Sequence, residues 1–261
     1  MKKLAFYALL GAFTILSCKQ ETKQEAQTDS EVETVAPEIV TDFEIIPIAH
    51  GTAVLKWKGT TIYVDPVGGA QAFAGQPDPD VILITDIHGD HLNVETLEGL
   101  NTSKAKIMVP QAVADKLPDT FKSSLVIVNN GEIKEQLGFQ IEAIPMYNLR
   151  EEALKFHTKG RGNGYVIEKE GKRVYFSGDT EDIPEMRALK NIDIAFVCMN
   201  LPYTMTEAKA AEAVLAFKPK TVLPYHYRGT DGLSDVFAFK TAVTNGDNNI
   251  NVLLMDWYPE D

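Results

Sequence analysis

Four acidic or imidazole side chains follow one short, fully apolar segment of this chain. Val81–Ile84 contains only large aliphatic residues, which predicts a strand buried on both faces of its sheet. The four side chains lie within six residues on the loop that leaves this strand: Asp86, His88, Asp90 and His91. Imidazole and carboxylate are the usual protein ligands of zinc and its neighbours, so the pattern predicts a metal site. The alternative interpretation is a polar surface loop with ordinary turn chemistry.

The remaining histidines of the chain also stand at predicted element ends or beside glycine-containing loops. They are His50, His157 and His226. On a loop that leaves a strand, alternate residues point to the same side, so Asp86 and His88 can meet one ion. Asp90 and His91 can then turn toward a second ion. Two divalent ions held in this way can share a hydroxide, which is a nucleophile at neutral pH.

The order of predicted elements indicates two packed sheets covered by helices on the outside, an α/β architecture. Apolar and alternating stretches predict strands at Phe43–Ile48, Ala53–Lys58, Thr61–Val64, Val81–Ile84, Lys106–Val109, Leu125–Val128, Phe139–Ile144, Gly164–Glu168, Arg173–Ser177, Ile192–Met199, Lys220–Leu223 and Asn251–Met255. Helices are predicted at Asn93–Leu100, Gln111–Leu117, Pro184–Leu189 and Leu233–Val243. One more helix is predicted to open with a capping box at Thr204–Glu207 and to run through Phe217.

The first residues are predicted to export the protein. Residues 1–17 join a lysine-containing start to an apolar run too short to span a bilayer, as in a signal peptide. The run ends in Ile15–Cys18, which resembles a bacterial lipobox and implies a lipid on Cys18; the alternative is an ordinary signal peptide. Residues 18–41 have few large apolar side chains, which predicts a disordered tether, and residues 42–261 form the remaining domain. We therefore expect an exported bacterial lipoprotein, anchored to a membrane in the periplasm or at the cell surface.

Cysteine content and charge restrict the possible partners and bonds. After Cys18 the only cysteine is Cys198, so no disulfide can form within the domain. Cys198 lies in an apolar stretch and is predicted to be a small buried side chain. The formal net charge of −12 argues against a nucleic-acid partner. A small-molecule substrate is the expected partner, and the sequence does not indicate an oligomeric state.

Several motifs, taken in order, resemble those of the metallo-β-lactamase superfamily. Asp86–His91 resembles its HxHxDH signature, with aspartate in place of the first histidine. Tyr63–Pro66, Phe176–Thr180 and Val222–His226 resemble the segments that in this superfamily carry a "VDP", a "GDT" and the final histidine. The resemblance runs from about Phe43 onward, and the lactonase-like branch of the superfamily is the most similar in pattern. It implies a four-layer αβ/βα sandwich.

The resemblance also implies a role for each candidate residue. One metal site would comprise Asp86, His88 and His157, and a second Asp90, His91 and His226, with Asp179 between the two ions. Asp90 would also orient the hydroxide and accept its proton. His50 would bind substrate, donate a proton or complete a buried hydrogen bond. Asp65 would orient a ligand histidine, or else only end a strand.

A local basic group could hold a phosphate or carboxylate of the substrate. Lys159 and Arg161 follow His157, and Arg228 follows His226. Asn148 precedes the same loop and is a further candidate for substrate binding. The alternative is a solvated loop of mixed charge.

Asp86 departs from the superfamily pattern and changes the expected metal chemistry. Three carboxylates facing two dications lower the charge of the site to about +1, from about +2 with a histidine. Carboxylate is also a harder ligand, which moves the preference from Zn²⁺ toward Mn²⁺ or Fe²⁺. We therefore expect two divalent ions, with the Asp86 site weak or even empty in the isolated protein.

These observations predict a metal-dependent hydrolase that directs a metal-bound hydroxide at a small ester, lactone or phosphoester. Two alternatives remain open from the sequence. One is a phosphodiesterase for lipid-derived or nucleotide-like substrates. The other is a metal-binding lipoprotein without catalytic activity.

Overall fold

Two β-sheets pack face to face within residues 42–259, the part of the chain that this computed structural model describes. The predicted signal peptide at residues 1–17, Cys18 and the tether at residues 18–41 lie outside the described residues. Among residues 42–259, no helix is both long and apolar enough to cross a membrane.

The first sheet has six strands in sequence order. They are β1 (Phe43–Ala49), β2 (Thr52–Trp57), β3 (Thr60–Val64), β4 (Val81–Leu83), β5 (Lys106–Val109) and β6 (Leu125–Ile127). β1, β2 and β3 are antiparallel neighbours, whereas β3 to β6 run parallel. The predicted strand Val81–Ile84 is buried along its whole length, as its apolar composition requires.

The second sheet has seven strands and carries the crossover connections. In spatial order they are β15 (Asn251–Val252), β12 (Thr221–Tyr225), β11 (Ile194–Cys198), β10 (Lys172–Phe176), β9 (Gly162–Lys169), β8 (Phe139–Met146) and β7 (Ile133–Gln136). β10, β11, β12 and β15 are parallel, and the predicted hairpin of β9 and β10 turns at Glu170 and Gly171. A small separate hairpin pairs β13 (Arg228–Gly229) with β14 (Gly232–Leu233).

Helices cover the outer faces of both sheets. They are α1 (Val94–Gly99), α2 (Gln111–Ala114), α3 (Pro184–Arg187), α4 (Glu207–Phe217) and α5 (Val236–Gly246). Side chains of the first sheet alternate: Leu55 and Leu83 enter the core between the sheets, whereas Val54 and Ile82 pack on the side of α1 and α2. This confirms the predicted α/β fold, with two sheets sandwiched between helices.

The starts of two predicted helices differ from the structure, and the strand β7 was not predicted. Thr206, not Thr204, caps α4: its side chain accepts a hydrogen bond from the Lys209 backbone, while the Thr204 hydroxyl bonds to Asn200. α5 begins after Asp235, whose carboxylate accepts two backbone N–H bonds and so fixes a later start than the predicted Leu233. The sequence pattern missed β7, because its side chains alternate without a buried apolar face. Cys198 is buried, as predicted.

Candidate metal centre

Most of the site residues stand on loops at the carboxyl ends of four strands, and His157 stands on the loop between β8 and β9. Asp65 follows β3 and Asp86 follows β4, which are parallel neighbours in the first sheet. Asp179 follows β10 and His226 follows β12, which run in the same direction in the second sheet. Carboxyl ends of parallel strands form a common edge, where ligands usually bind in α/β proteins. The turn between β1 and β2 adds His50 to this edge.

Backbone strain is concentrated among these residues. His50, Asp65 and His226 have φ values of 54°, 44° and 48°, in the left-handed region. This conformation costs a non-glycine residue about 1–2 kcal/mol. Beside them, a Cβ on Gly51 would lie 2.7 Å from the His226 ring, so a glycine is required for the ring to pack there. The fold thus holds these side chains in positions that relaxed loops do not favour.

His91, Asp179 and His226 form one cluster, which we call the inner site. Asp179 Oδ2 is 3.4 Å from His91 Nε2, and Asp179 Oδ1 is 3.5 Å from His226 Nε2. All three residues are buried, and the two imidazole rings stack 4.9 Å apart. Two imidazoles and a carboxylate that face one point are a common ligand set for zinc and related ions.

Asp65 contacts the far side of the His91 ring. Its Oδ2 is 2.8 Å from His91 Nδ1 and accepts a 2.6 Å bond from the Thr85 hydroxyl, while its Oδ1 accepts the Thr85 backbone N–H. A carboxylate on Nδ1 keeps the proton there and leaves the Nε2 lone pair facing the site. Asp65 therefore occupies the position that its expected orienting role requires.

The charges of the inner site interact strongly. Burial alone would lower the pKa of His91, but the carboxylates of Asp179 and Asp65 outweigh it and hold that pKa well above its ordinary value. Burial alone would raise the pKa of Asp179, but His226 and His91 hold it well below its ordinary value. A cation that binds here must therefore compete with a proton on His91.

Asp86, His88 and His157 form a second cluster, the outer site. Asp86 Oδ2 is 2.8 Å from His88 Nδ1 and 4.0 Å from His157 Nε2. His157 Nδ1 faces the carbonyl oxygen of Tyr203 at 3.2 Å, so its proton belongs on that side and its Nε2 faces the cluster. Asp179 Oδ2 is 3.2 Å from the same Nε2. Asp179 thus contacts both clusters, as its expected bridging position requires.

Arg161 makes a two-pronged ion pair with Asp86. Its Nε lies 3.0 Å from Asp86 Oδ1, and its Nη2 lies 2.7 Å from Asp86 Oδ2. Asp86 is fully buried, so the two hydrogen bonds from Arg161 replace the water that its carboxylate has lost. The guanidinium returns about one positive charge to the site, so the expected drop from about +2 to about +1 is offset by a neighbour. Arg161 is not a ligand, so its charge was not part of the sequence-based expectation.

Asp90 and His50 lie on the other side of the inner site. Asp90 Oδ2 is 3.4 Å from both His50 Nε2 and His226 Nε2, whereas Asp90 Oδ1 is 3.9 Å from His91 Nε2. Asp90 therefore groups with His50 and His226 more closely than with His91, unlike the expected ligand set. Burial lowers the pKa of His50, and its Nδ1 lies 2.6 Å from the hydroxyl of Tyr258.

The side chains of both sites fit bound cations. Four buried atoms of the two clusters have no hydrogen-bond partner among residues 42–259: His91 Nε2, His157 Nε2, His226 Nε2 and Asp179 Oδ1. Buried polar atoms are nearly always paired in native proteins, so these four exceptions indicate atoms that bond to cations.

A cavity of about 320 Å³ opens over these residues. It is lined by His50, His88, Asp90, Phe156, His157, Asp179, Asn200, Tyr203, Arg228 and Gly229. Of the four residues predicted to bind substrate, Arg228 is the one that lines it. Arg161 is turned to Asp86. Asn148 is buried and bonds to the carbonyls of Ala153 and Tyr203, and Lys159 pairs with Glu185 at 2.7 Å. Neither Asn148 nor Lys159 lines the cavity, because other partners hold them.

The chain is also similar to known protein sequences. A model of the beta-lactamase superfamily domain matches residues 44–226. A relative named as a metal-dependent hydrolase of Pyrococcus horikoshii is 31% identical over 204 residues, which are 74% of this chain and 88% of the relative. Another from Pyrococcus abyssi is 31% identical over 175 residues, 64% of this chain and 76% of the relative.

Solved structures show the same fold. A protein from Parabacteroides distasonis, named in its crystal structure as a metal-dependent hydrolase, is 36% identical with a TM-score of 0.74, over 83% of this chain and 94% of the other. A metallo hydrolase from Ignicoccus hospitalis is 23% identical with a TM-score of 0.69, over 82% of this chain and 95% of the other, and supports the fold alone. The chain therefore belongs to the beta-lactamase superfamily, as a metal-dependent hydrolase.

Proposed function

We propose that this protein hydrolyses a small ester, lactone or phosphoester with the help of two divalent ions, one at the inner and one at the outer site. The observation that carries the proposal is the position of Asp179. Its Oδ2 lies 3.4 Å from His91 Nε2 and 3.2 Å from His157 Nε2, so one carboxylate serves both ligand clusters. Paired ions a few ångströms apart are a recurring arrangement in hydrolases.

The residues of the chain divide the chemical work. When bound, divalent ions supply Lewis acidity and lower the pKa of water. Asp90, which lines the cavity at the edge of the inner site, accepts the proton of the attacking water. His91 and His157 present Nε2 because Asp65 and the Tyr203 carbonyl hold their Nδ1 protons. Phe156 and Tyr203 add aromatic surface to the lining of the cavity.

The cavity sets the size and charge of the substrate. A volume of about 320 Å³ is at the small end of ligand pockets, which supports a small molecule. Arg228 lines the cavity and brings a positive charge close to the site, although the protein as a whole is acidic. A phosphodiester is therefore the second candidate, since a guanidinium binds phosphate well.

Hydrolysis of substrate panels tests the proposal. The full-length protein, with Zn²⁺ or Mn²⁺ added separately, is assayed on lactones, carboxylic esters and phosphodiesters. Asp179→Asn is expected to lower kcat/KM by about 10³-fold, because Lewis-acid assistance contributes several kcal/mol and each ~1.4 kcal/mol is a factor of ten. Asp193→Asn is the control: Asp193 pairs with Lys220 and the Arg173 backbone and does not contact the site.

Two further observations separate loss of chemistry from loss of fold. Circular dichroism compares the folding of the variants, and His88→Ala removes a ligand whose side chain is 40% exposed and so less tied to the core. A wild-type protein that binds metal but hydrolyses none of the substrates would overturn the proposal and favour a non-catalytic metal-binding role.

A further inference from the structure

The hydroxyl oxygen of Tyr258 has three hydrogen-bonding neighbours. One phenol oxygen cannot accept from all three, so the phenol must donate to one of them, His50. The backbone N–H groups of Tyr227 and Arg228 both donate to Tyr258 Oη, at 3.1 Å each. His50 Nδ1 lies 2.6 Å from the same oxygen. A phenol oxygen carries one proton and accepts about two hydrogen bonds. Because backbone N–H groups can only donate, they occupy the acceptor positions.

The remaining bond must therefore run from Tyr258 to His50. The phenol proton points to His50 Nδ1, which accepts it and carries no proton itself. In a neutral imidazole the single proton is then on Nε2. Burial also raises the pKa of Tyr258, which keeps its hydroxyl protonated and able to donate.

Other contacts hold both partners in this arrangement. The His50 backbone N–H donates to the Trp257 carbonyl at 3.1 Å, and the His50 carbonyl accepts from the His226 backbone at 3.1 Å. The Tyr258 ring packs edge-on against Tyr227, and the Arg228 guanidinium lies 4.7 Å from its centre. The chain end and the β1–β2 turn are thus connected at the wall of the cavity.

The Nε2 atom of His50 faces the site. It is 3.4 Å from Asp90 Oδ2, and His50 lines the cavity. Distances alone would allow His50, Asp90 and His226 to hold an ion together. A protonated Nε2 has no lone pair to offer a cation, so the hydrogen-bond count argues against that use of His50.

We propose that Tyr258 is a positioning residue that fixes His50 as the Nε2–H tautomer, so that His50 is a hydrogen-bond donor into the cavity and not a metal ligand. Without substrate, the donor faces Asp90. During the proposed hydrolysis, it stabilises a substrate oxygen that gains negative charge. The last step rests on the proposed function, whereas the tautomer and the absence of His50 from the ligand set do not.

Nitrogen-15 NMR of the histidine-labelled, full-length protein tests the tautomer. His50→Gln identifies the His50 signals by their loss. At a pH where the ring is neutral, long-range proton–nitrogen correlations are expected to show the proton on Nε2, both without metal and with Zn²⁺. Tyr258→Phe removes the donor and is expected to produce a mixture of tautomers. Tyr175→Phe is the matched control, since the buried Tyr175 hydroxyl has no hydrogen-bond partner in the described part of the chain.

Metal content and kinetics complete the test. His50→Gln and Tyr258→Phe are expected to bind as many Zn²⁺ ions as the wild type. Tyr258→Phe is expected to lower kcat about tenfold with little change in KM, because the lost hydrogen bond acts mainly on the reacting state. A proton on Nδ1 in the wild type, an unchanged tautomer in Tyr258→Phe, or a lost metal equivalent in His50→Gln would overturn the inference. If no substrate is hydrolysed, the proposed function fails, while the tautomer and metal content still decide this inference.

Discussion

The inner and outer sites share Asp179 but differ in what surrounds their ligands. In the inner site, His91, Asp179 and His226 are all buried, and Asp65 supports His91 from behind. In the outer site, the His88 side chain is 40% exposed, and the carboxylate of Asp86 is engaged by Arg161. Both sites have two imidazoles and a carboxylate, so ligand identity alone does not distinguish them.

The neighbours of the ligands therefore set the affinity of each site. A carboxylate behind His91 increases the basicity of a ligand, whereas a guanidinium on Asp86 competes with a cation for the same oxygens. We therefore expect the inner site to bind its ion more tightly than the outer site. The aspartate at position 86, where the superfamily pattern has a histidine, only partly explains the weaker outer site, because Arg161 offsets the negative charge of Asp86.

Asp65→Asn should give the largest change in this comparison. An amide at this position no longer demands a proton on His91 Nδ1, so Nε2 loses its fixed lone pair. We expect the affinity of the inner site for Zn²⁺ to fall about 10–100-fold, with a much smaller change at the outer site. Competition with a fluorescent chelator measures both constants.

Asp80→Asn is the matched control for that variant. Asp80 also accepts a backbone N–H and stands beside a strand of the first sheet, but it pairs with Lys104 at the surface. It should leave both constants unchanged. Equal losses at the two sites in Asp65→Asn would show that Asp65 supports the whole edge and not the inner site alone.

Arg161→Gln should change the outer site in the opposite direction. Removing the guanidinium leaves the buried Asp86 without its charge partner, which typically costs about 3–5 kcal/mol of stability in the metal-free protein. A bound ion then becomes the main compensation for that carboxylate. We expect the outer-site affinity to rise about tenfold, equivalent to ~1.4 kcal/mol, while the thermal midpoint of the metal-free protein falls.

Arg173→Gln controls for the loss of an arginine. Arg173 pairs with Glu168 and Glu142 on the second sheet and does not contact either site. A weaker outer site in Arg161→Gln would mean that Arg161 mainly positions Asp86 and does not compete with the ion for its oxygens.

Proton release upon metal binding is the smallest expected effect. It distinguishes the two sites because their ligands differ in protonation before metal binds. The raised pKa of His91 means that the metal-free protein holds this proton at neutral pH, and an ion at the inner site displaces it. Burial alone would raise the pKa of Asp86, but hydrogen bonds from His88 and Arg161 hold it below its ordinary value, so this carboxylate is already ionised. Calorimetry in buffers of different ionisation enthalpy should show about one proton released from His91 by the inner-site ion.

The same shift predicts how the stability of the metal-free protein depends on pH. His91 has a higher pKa in the folded than in the unfolded state. Its contribution is therefore complete below about pH 6.5, the unfolded value, and is lost as the pH rises through the folded value. Denaturant titrations of the metal-free protein should show stability falling with pH above that point. The His91→Gln variant is the control. If the wild type and this variant were equally stable at every pH, the raised pKa of His91 would be wrong.

The sequence predicted those parts of the molecule that depend on local pattern. Buried strands such as Val81–Ile84 follow from continuous apolar runs, and the ligands on the loop after it follow from their density. The superfamily resemblance added His157 and Asp179, which lie far from that loop in sequence but next to it in space. The fold class was predictable because the strands and helices of each sheet follow one another in one continuous part of the sequence.

Contacts between distant segments could not be predicted in this way. Arg161 lies 75 residues after Asp86, and composition alone suggested a substrate contact instead of an ion pair. Tyr258 meets His50 across 208 residues, and no spacing rule marks an aromatic residue near the chain end as a partner. The capping of α4 by Thr206 depended on a competing bond between Thr204 and Asn200, which only the folded loop creates.

Anomalous diffraction from crystals grown at a low and at a high concentration of Zn²⁺ tests the inequality of the two sites most directly. At low concentration we predict one peak among His91, Asp179 and His226. At high concentration a second peak should appear among Asp86, His88 and His157. Equal peaks at the lowest concentration, or a first peak at the outer site, would show that the inner site does not bind Zn²⁺ more tightly.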